Sequence, residues 1–361
     1  MPHILSVGKA VPPYEISQEE SMRLVYHLFR DRFPQIDRLM KIFPNTEIRT
    51  RRFCMPPEWF LRDHRFAEKN KQYVDNACRL GSEAINQCLE TNGLAPEEID
   101  CLIYVSSTGI ATPSIDARIL NLLGMREDIA RIPIWGLGCV AGAMGISRAC
   151  DYAKAHPDQL VLLLSVELCG LTFVKRDVSK SNFIATSLFA DGAAAVLVAG
   201  DEYVRSHPTF HSTPMIVGSA TTTWRDSLDV MGWDVTDDGL RVIFSRDIPT
   251  LVKQRMRQTV DQALQRYGLT LSQISRYIPH PGGAKVVAAY RETLELTDES
   301  TRDAEEVLSS CGNMSSATVL YVLERSLKQP WAAGEYGLLT ALGPGFSSEV
   351  VILQAGGCMH R

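Results

Sequence analysis

No two of the nine cysteines form a CxxC pair, no apolar run is long enough to cross a bilayer, and no excess of positive charge is present in these 361 residues. The cysteines, at 54, 78, 88, 101, 139, 150, 169, 311 and 358, are scattered and odd in number. Such spacing fits neither a zinc knuckle nor a disulfide framework and reads as reduced thiols. The N-terminus MPHILSVGKAVP lacks a basic region followed by a long apolar core, and the most apolar stretch, Leu160 to Val174, is interrupted by Glu167. A soluble, cytoplasmic protein without an integral membrane segment is expected. The formal charge of -5 argues against dominant attraction to nucleic acid and favours small-molecule or protein partners. A nicotinamide site is also missing. Gly136, Gly138 and Gly142 are spaced G-x-G-x-x-x-G rather than G-x-G-x-x-G, and no acidic ribose ligand follows at the right distance, where Ala155 to Asp158 reads as a loop.

What is present is a chain that is 45% hydrophobic, enough to bury a large core in two domains or one fused one. Its organising stretch is RIPIWGLGCVAGAMGISRAC, Arg131 to Cys150. Ile132 to Trp135 has the apolar character of a buried strand, and after Gly136-Leu137-Gly138 the small residues continue at helical spacing. Cys139 stands at that break, where the start of a helix dipole favours a thiolate. Cysteine is also a common small buried hydrophobe, so Cys139 needs His and Asn partners from elsewhere in the chain to count as a nucleophile.

In chain order, Ile4 to Val7 reads as a strand, Ser17 to Phe29 as an amphipathic helix, and Ile36 to Phe43 as a second helix. A basic segment follows with Arg38, Lys41, Arg49, Arg51 and Arg52. Taken singly these are solvated charges; as a group they suit phosphate oxygens. Asp75 to Thr91 reads as a helix capped by Gly93, and Ile99 to Val105 as a buried strand. The segment Gly93 to Gly109 resembles Gly268 to Gly283, at an offset of 175 residues, and nearly the same offset relates Cys139 to Asn313. The chain therefore reads as a duplicated α/β half. Val161 to Val166 and Ala193 to Val198 are expected as strands flanking a loop, Thr172 to Ser187. Gly337 to Ala341 and Glu349 to Leu353 close the chain as two strands joined through Gly343-Pro344-Gly345.

His280, in Tyr277-Ile278-Pro279-His280-Pro281-Gly282-Gly283, sits on a stiff backbone at the end of a strand, where open α/β sheets place their chemistry. Asn313, in CGNMSSA before the helix Thr318 to Leu327, takes in the second half the place of Cys139 in the first. Its alternative role is a helix cap.

With Cys, His and Asn at equivalent strand ends, the chain resembles the thiolase-fold condensing enzymes, and among them the type III polyketide synthases of the chalcone and stilbene synthase group. The matches are GLGCVAG around Cys139, LFADGAAA at Leu188 to Ala195, IPHPGG around His280, CGNMSSAT around Asn313 and LGPGFSSE at Leu342 to Glu349. The resemblance covers almost the whole chain. It implies an α/β, five-layered αβαβα sandwich of two similar halves, residues 1–205 with the nucleophile and 206–361 with His and Asn, in a homodimer. It also implies an acyltransferase in which Cys139 takes an acyl group from a coenzyme A thioester, while His280 and Asn313 hold the thioester oxygen as malonyl-CoA loses carbon dioxide. No metal or organic cofactor is implied; malonyl-CoA and an acyl-CoA starter are the expected partners.

The resemblance makes Phe189 a gatekeeper between coenzyme A tunnel and cavity, and sets Val242 where plant members carry a second gatekeeper phenylalanine. Thr112 aligns with a methionine that plant enzymes insert from the partner subunit. Cys169, Thr172, Ser107 and Ser315 are further pocket positions, and Trp233 falls where a small glycine lines the plant cavity, either narrowing one branch of the pocket or packing behind it. Arg38, Lys41, Arg49, Gly282, Gly283 and Ala284 are the coenzyme A candidates. The MGWDV and GLRVIFSRDIP segments resemble bacterial members that extend long fatty acyl starters into alkylpyrones and alkylresorcinols. Smaller residues at two gates agree with a long apolar starter. The alternatives are a tetrahydroxynaphthalene-type synthase primed by malonyl-CoA, a ketoacyl synthase that condenses once, and a thiolase-fold protein that only binds.

Overall fold

A computed structural model describes residues 1–33 and 36–356; Cys358 lies outside the described residues. The strands are β1 (His3–Ala10), β2 (Tyr14–Ser17), β3 (Thr50–Phe53), β4 (Cys101–Ser106), β5 (Ala130–Trp135), β6 (Leu160–Leu168), β7 (Asp191–Ala199), β8 (Met215–Thr223), β9 (Met231–Thr236), β10 (Gly239–Phe244), β11 (Ile274–Pro279), β12 (Tyr336–Gly343) and β13 (Ser347–Gln354). The helices are α1 (Gln18–Phe29), α2 (Ile36–Met40), α3 (Phe66–Glu90), α4 (Ile115–Leu123), α5 (Ala141–Ala155), α6 (Lys180–Leu188), α7 (Asp201–Ser206), α8 (Ile248–Gln265), α9 (Ala284–Leu294), α10 (Asp298–Cys311) and α11 (Ser316–Leu327).

Nine strands form one mixed sheet in the order β11-β12-β13-β8-β1-β7-β6-β4-β5. The duplication is visible in that order. β4-β6-β7-β1 and β11-β12-β13-β8 have the same succession of one parallel and two antiparallel pairings. The halves meet where β1 and β8 pair at His3 and Met215. Gly93 and Gly268, the glycines that end α3 and α8, both adopt left-handed backbone, with φ of 66° and 69°.

Layering follows from strand alternation. Leu162 and Leu164 of β6 face an outer layer made by α3 and α4, while Leu163 faces inward to α5 and α11. The inward faces of β12 and β13, at Leu339, Ala341, Val351 and Leu353, close on the same two helices from the other side. Their outward faces pack on α8 and α9. This gives the α-β-α-β-α stack of the thiolase-like fold. The central helices approach closely: a Cβ at Gly142 would lie 2.2 Å from the Ser316 carbonyl oxygen. No helix among the described residues is long and apolar enough to cross a membrane.

Local readings differ from the structure in four places. β5 is an edge strand of alternating exposure, not a buried one, because only β4 pairs with it; Trp135 is 51% exposed. α3 begins at Phe66, nine residues before the expected start at Asp75, because its first turns cover the β9–β10 hairpin through Lys69. α2 ends at Met40, short of Phe43, and Pro44 then opens a separate 3-10 turn. The expected loop Thr172 to Ser187 contains α6, capped by the Ser179 side chain.

Candidate active site

Cys139 lies in a 3-10 turn, Gly138–Val140, between β5 and α5. Gly138 has φ +52°, and a Cβ there would sit 2.6 Å from Pro344 Cδ, so glycine is required by both backbone and space. The Gly138 N–H donates to Ser107 Oγ at 2.8 Å. The Cys139 Sγ lies 3.5 Å from Ser315 Oγ.

His280 follows β11 and is fixed by its N–H donating to the Thr340 carbonyl at 2.7 Å. Its ring is buried, and neither nitrogen has a hydrogen-bond partner among the described residues. Burial lowers its pKa to about 4, so the imidazole is neutral with an open acceptor. Asn313 sits between α10 and α11 and is tied to the end of α6, its N–H donating to Leu188 O at 2.9 Å and its carbonyl accepting from Ala190 N at 2.8 Å. The side-chain oxygen accepts the Ser315 N–H at 2.8 Å, which orients the amide, and Nδ2 donates to Gly282 O at 3.1 Å. Among the described residues the second Nδ2 hydrogen has no partner. A Cβ placed on Gly282 would be 3.8 Å from His280 Nε2. Cys139, Ser315, Asn313, Gly282 and His280 are thereby linked into one cluster drawn from both halves.

Beneath it is Glu167, which sequence reasoning treated only as an interruption of an apolar run. It is wholly buried in β6. Its carboxylate accepts from Ser107 N and Thr108 Oγ1, both at 3.0 Å, and from Ser316 Oγ at 2.7 Å. A charge inside a strand buried along its whole length must be bonded, and that was the available signal. Ser107 therefore supports the Cys139 turn and the carboxylate together. Burial pushes the Cys139 thiol up to about 12, with Ser315 lowering it and the Glu167 charge raising it further. The expected thiolate at the helix start is thus outweighed by desolvation in this buried setting.

Cys139, Ser315, Phe189, Trp233, Val242, Phe244 and Pro344 line a cavity of about 20 Å3. Phe189 and Trp233 have ring centroids 6.0 Å apart. On the other side of Phe189 and Val242 lies an apolar cavity of about 60 Å3, with Cys169, Thr172 and Ala185 at its near end and Leu24, Val25 and Leu28 of α1 deeper in. Thr112 is not brought to either space. It is exposed in the loop before α4, beside exposed Ile110.

On the outer surface, Ala284, Glu47, Arg302 and Ser309 line a cleft of about 220 Å3. A cluster of Ile48, Leu188, Leu308, Phe244 and Ala284 separates it from the Cys139 cavity. Gly283 begins α9 in extended backbone against Leu188. Arg49 stands at the rim, 2.9 Å from Ser309 Oγ and 3.5 Å from Glu306. Arg38 and Lys41 are exposed and do not line the cleft. Arg51 leaves the basic group altogether: it is fully buried and donates to the carbonyls of Thr186 at 2.6 Å and Phe189 at 2.8 Å. Its alternation along β3 turns it inward while Arg52 faces out to pair with Glu15. Among the described residues no group of three or more His, Cys, Asp or Glu is placed to hold a metal ion.

Residues 1–202 match the family "Chalcone and stilbene synthases, N-terminal domain", and residues 216–356 match its C-terminal domain. A Bacillus subtilis (strain 168) protein named "Putative chalcone synthase" is 43% identical over 98% of each chain. The 1,3,6,8-tetrahydroxynaphthalene synthase of Streptomyces peucetius subsp. caesius is 37% identical over 97% of this chain and 92% of that one. The crystal structure of the tetrahydroxynaphthalene synthase from Streptomyces coelicolor A3(2), a bacterial type III polyketide synthase, superposes with a TM-score of 0.89 at 27% identity, covering 98% of this chain and 99% of that one.

Proposed function

The chain belongs to the chalcone and stilbene synthase family and is a type III polyketide synthase, and on that premise we propose that it extends a long-chain fatty acyl-CoA starter with malonyl-CoA to alkylpyrones or alkylresorcinols. The observation that carries the starter is the apolar cavity behind Val242. A valine in place of a phenylalanine lets an alkyl tail pass from the Cys139 cavity toward α1, and each methylene buried there contributes about 0.8 kcal/mol.

In this reading Cys139 attacks the starter thioester as its proton passes to the open nitrogen of neutral His280; the acyl–sulfur bond to coenzyme A then breaks and the departing thiolate takes that proton. Malonyl-CoA then enters from the outer cleft, with Arg49, Ala284, Gly282 and Gly283 along its route and Arg38 and Lys41 outside it toward the nucleotide end. The free Nδ2 hydrogen of Asn313 and the His280 ring donate to the malonyl thioester oxygen as carbon dioxide departs, which stabilises the enolate. That enolate attacks the acyl-Cys139 carbonyl, the Cys139 sulfur–acyl bond breaks, and a β-ketoacyl-CoA leaves with the Cys139 thiolate freed for the next loading. The malonyl carboxylate supplies the driving force, so the reaction needs no metal or organic cofactor. The exposed Trp135 and Ile110 beside Thr112 support a homodimer in which Thr112 borders the partner's pocket.

A second reading, priming by malonyl-CoA to a naphthalene product, is favoured by the small Cys139 cavity under Trp233 and by the relatives named tetrahydroxynaphthalene synthases. The deciding experiment is product mass spectrometry with malonyl-CoA alone and with acyl-CoA starters from acetyl to stearoyl. Alkylpyrones or alkylresorcinols formed only with long starters support the first reading; an aromatic product from malonyl-CoA alone replaces it with the second. Intact-protein mass should show one acyl group on the wild type and none on Cys139→Ala.

A further inference from the structure

The apolar cavity borders a second space across two aromatic rings. Phe60 and Phe173 line it, and the same two residues line a separate outer cleft of about 650 Å3. Their rings meet edge to face with centroids 6.2 Å apart at 70°. Phe60 is braced by Phe53 at 5.5 Å and Trp59 at 5.2 Å, and Phe173 by Phe29 at 6.2 Å. The backbone under Phe173 is also held: buried Lys69 donates to the Phe173 carbonyl at 2.8 Å and to Asp238 O, in the β9–β10 turn, at 3.0 Å. The outer cleft differs in chemistry from the cavity. Arg62, Arg65, Lys175 and Arg176 line it with Asp63 and Asp237, and Arg176 lies 3.7 Å from Asp63.

We propose that Phe60 and Phe173 are the chain-length stop of the acyl-tail cavity, closing it against a charged outer cleft. The inference rests on the long-chain starter reading above. Up to the stop, each added methylene is buried among apolar side chains and improves binding. Beyond it, a methylene must displace a packed aromatic ring or enter a cleft where ionic groups hold water, so the gain ends. Removing the Phe173 ring joins the two spaces. A longer tail can then continue outward, and a tail ending in a carboxylate gains Arg62 and Arg176 beyond Arg51, whose guanidinium lines the cavity but is bonded to the Thr186 and Phe189 carbonyls.

The test is the profile of kcat/KM against starter length, from butanoyl-CoA to docosanoyl-CoA and with ω-carboxyacyl-CoA esters, for wild type, Phe173→Ala and Phe173→Leu. Melting curves establish that each variant is folded, the leucine variant serving if alanine is not. Wild type should show a cutoff and reject the ω-carboxy esters. In the variants the cutoff should move outward, with a gain of roughly tenfold for starters two methylenes beyond the wild-type limit, and Phe173→Ala should accept ω-carboxy esters. A wild-type preference for long starters with an unmoved cutoff in a folded variant overturns the stop alone. A wild type inert with every starter beyond butanoyl overturns the starter reading, and the stop with it.

Discussion

Val242 and Trp233 are direct partners across the β9–β10 hairpin, so the residue proposed to open the gate and the tryptophan beside the Cys139 cavity share one rung and one face. Both pack on the cluster of Phe189, Cys169 and Ala185. The hairpin is therefore the element through which substitution redistributes space between the Cys139 cavity and the cavity toward α1.

Val242→Phe places a ring between the two cavities. If about four methylenes lose their burial, at about 0.8 kcal/mol each, discrimination against long starters rises roughly two-hundredfold. The check is kcat/KM for palmitoyl-CoA relative to a short starter. A ratio equal to that of the wild type removes the open-gate argument. Trp233→Ala on the same rung enlarges the space beside Cys139 and should raise the share of products carrying an additional extension.

How much of this was legible beforehand depends on whether the chemistry is local. The strand-to-helix break at Cys139, the proline-braced His280 and the small residues around Asn313 are sequence-local, and the offset of 175 residues announced two halves before any coordinates. Glu167 and Arg51 were not legible as structural centres. Each is recognised by partners far along the chain, Ser316 for the one and Thr186 with Phe189 for the other. Arg51 shows the limit most plainly: in a run of basic residues, only the alternation of β3 and its pairing with β2 decide which arginine turns inward. Lys69 was missed for a similar reason, since its partners are two carbonyl groups and a carbonyl has no sequence signature.

Arg51 supplies a prediction about stability. Its fully buried guanidinium, whose pKa burial lowers to about 9, bonds the last turn of α6 and lies near Asp191. Arg51→Met leaves the carbonyls of Thr186 and Phe189 without their donor and Asp191 without its nearby charge. Breaking a buried charge arrangement on one side costs about 3–5 kcal/mol. Urea unfolding should report a loss of that order; a loss below about 1 kcal/mol would show that α6 is held by packing alone.

The buried His280 gives a pH dependence with a defined sign. Its folded pKa of about 4 lies below the ordinary value of 6.5, so between those pH values the unfolded chain binds a proton that the folded protein does not. Stability contributed by this group is full above about pH 6.5 and is lost as pH falls toward 4, up to about 3 kcal/mol. His280→Gln cannot titrate, so the variant should lose less stability than wild type over that interval when both are unfolded in urea at a series of pH values. Parallel curves would mean that His280 is protonated in the folded protein, contrary to its unpartnered, buried surroundings.

Trp135 tests the proposed dimer. Its ring is half exposed at the edge of β5, its Nε1–H is already used on Gly109 O at 2.9 Å, and Ile110 beside it is 45% exposed. An indole with a satisfied donor and an open apolar face suits a partner's surface, where truncating a central aromatic costs about 2 kcal/mol or more. Trp135→Glu adds to that loss the desolvation of a carboxylate. Sedimentation velocity at micromolar concentration should show a dimer for wild type and a monomer for the variant, with the melting temperature of each measured to separate dissociation from unfolding. Thr112 provides the functional half of the same argument. It is exposed on its own chain, and in the proposed dimer Thr112→Met alters starter preference by entering the partner's pocket. The substitution should therefore shift the starter profile in the dimer and have no such effect on the Trp135→Glu background. A shift of equal size in both backgrounds would place Thr112 against its own chain's pocket and remove this support for a shared site.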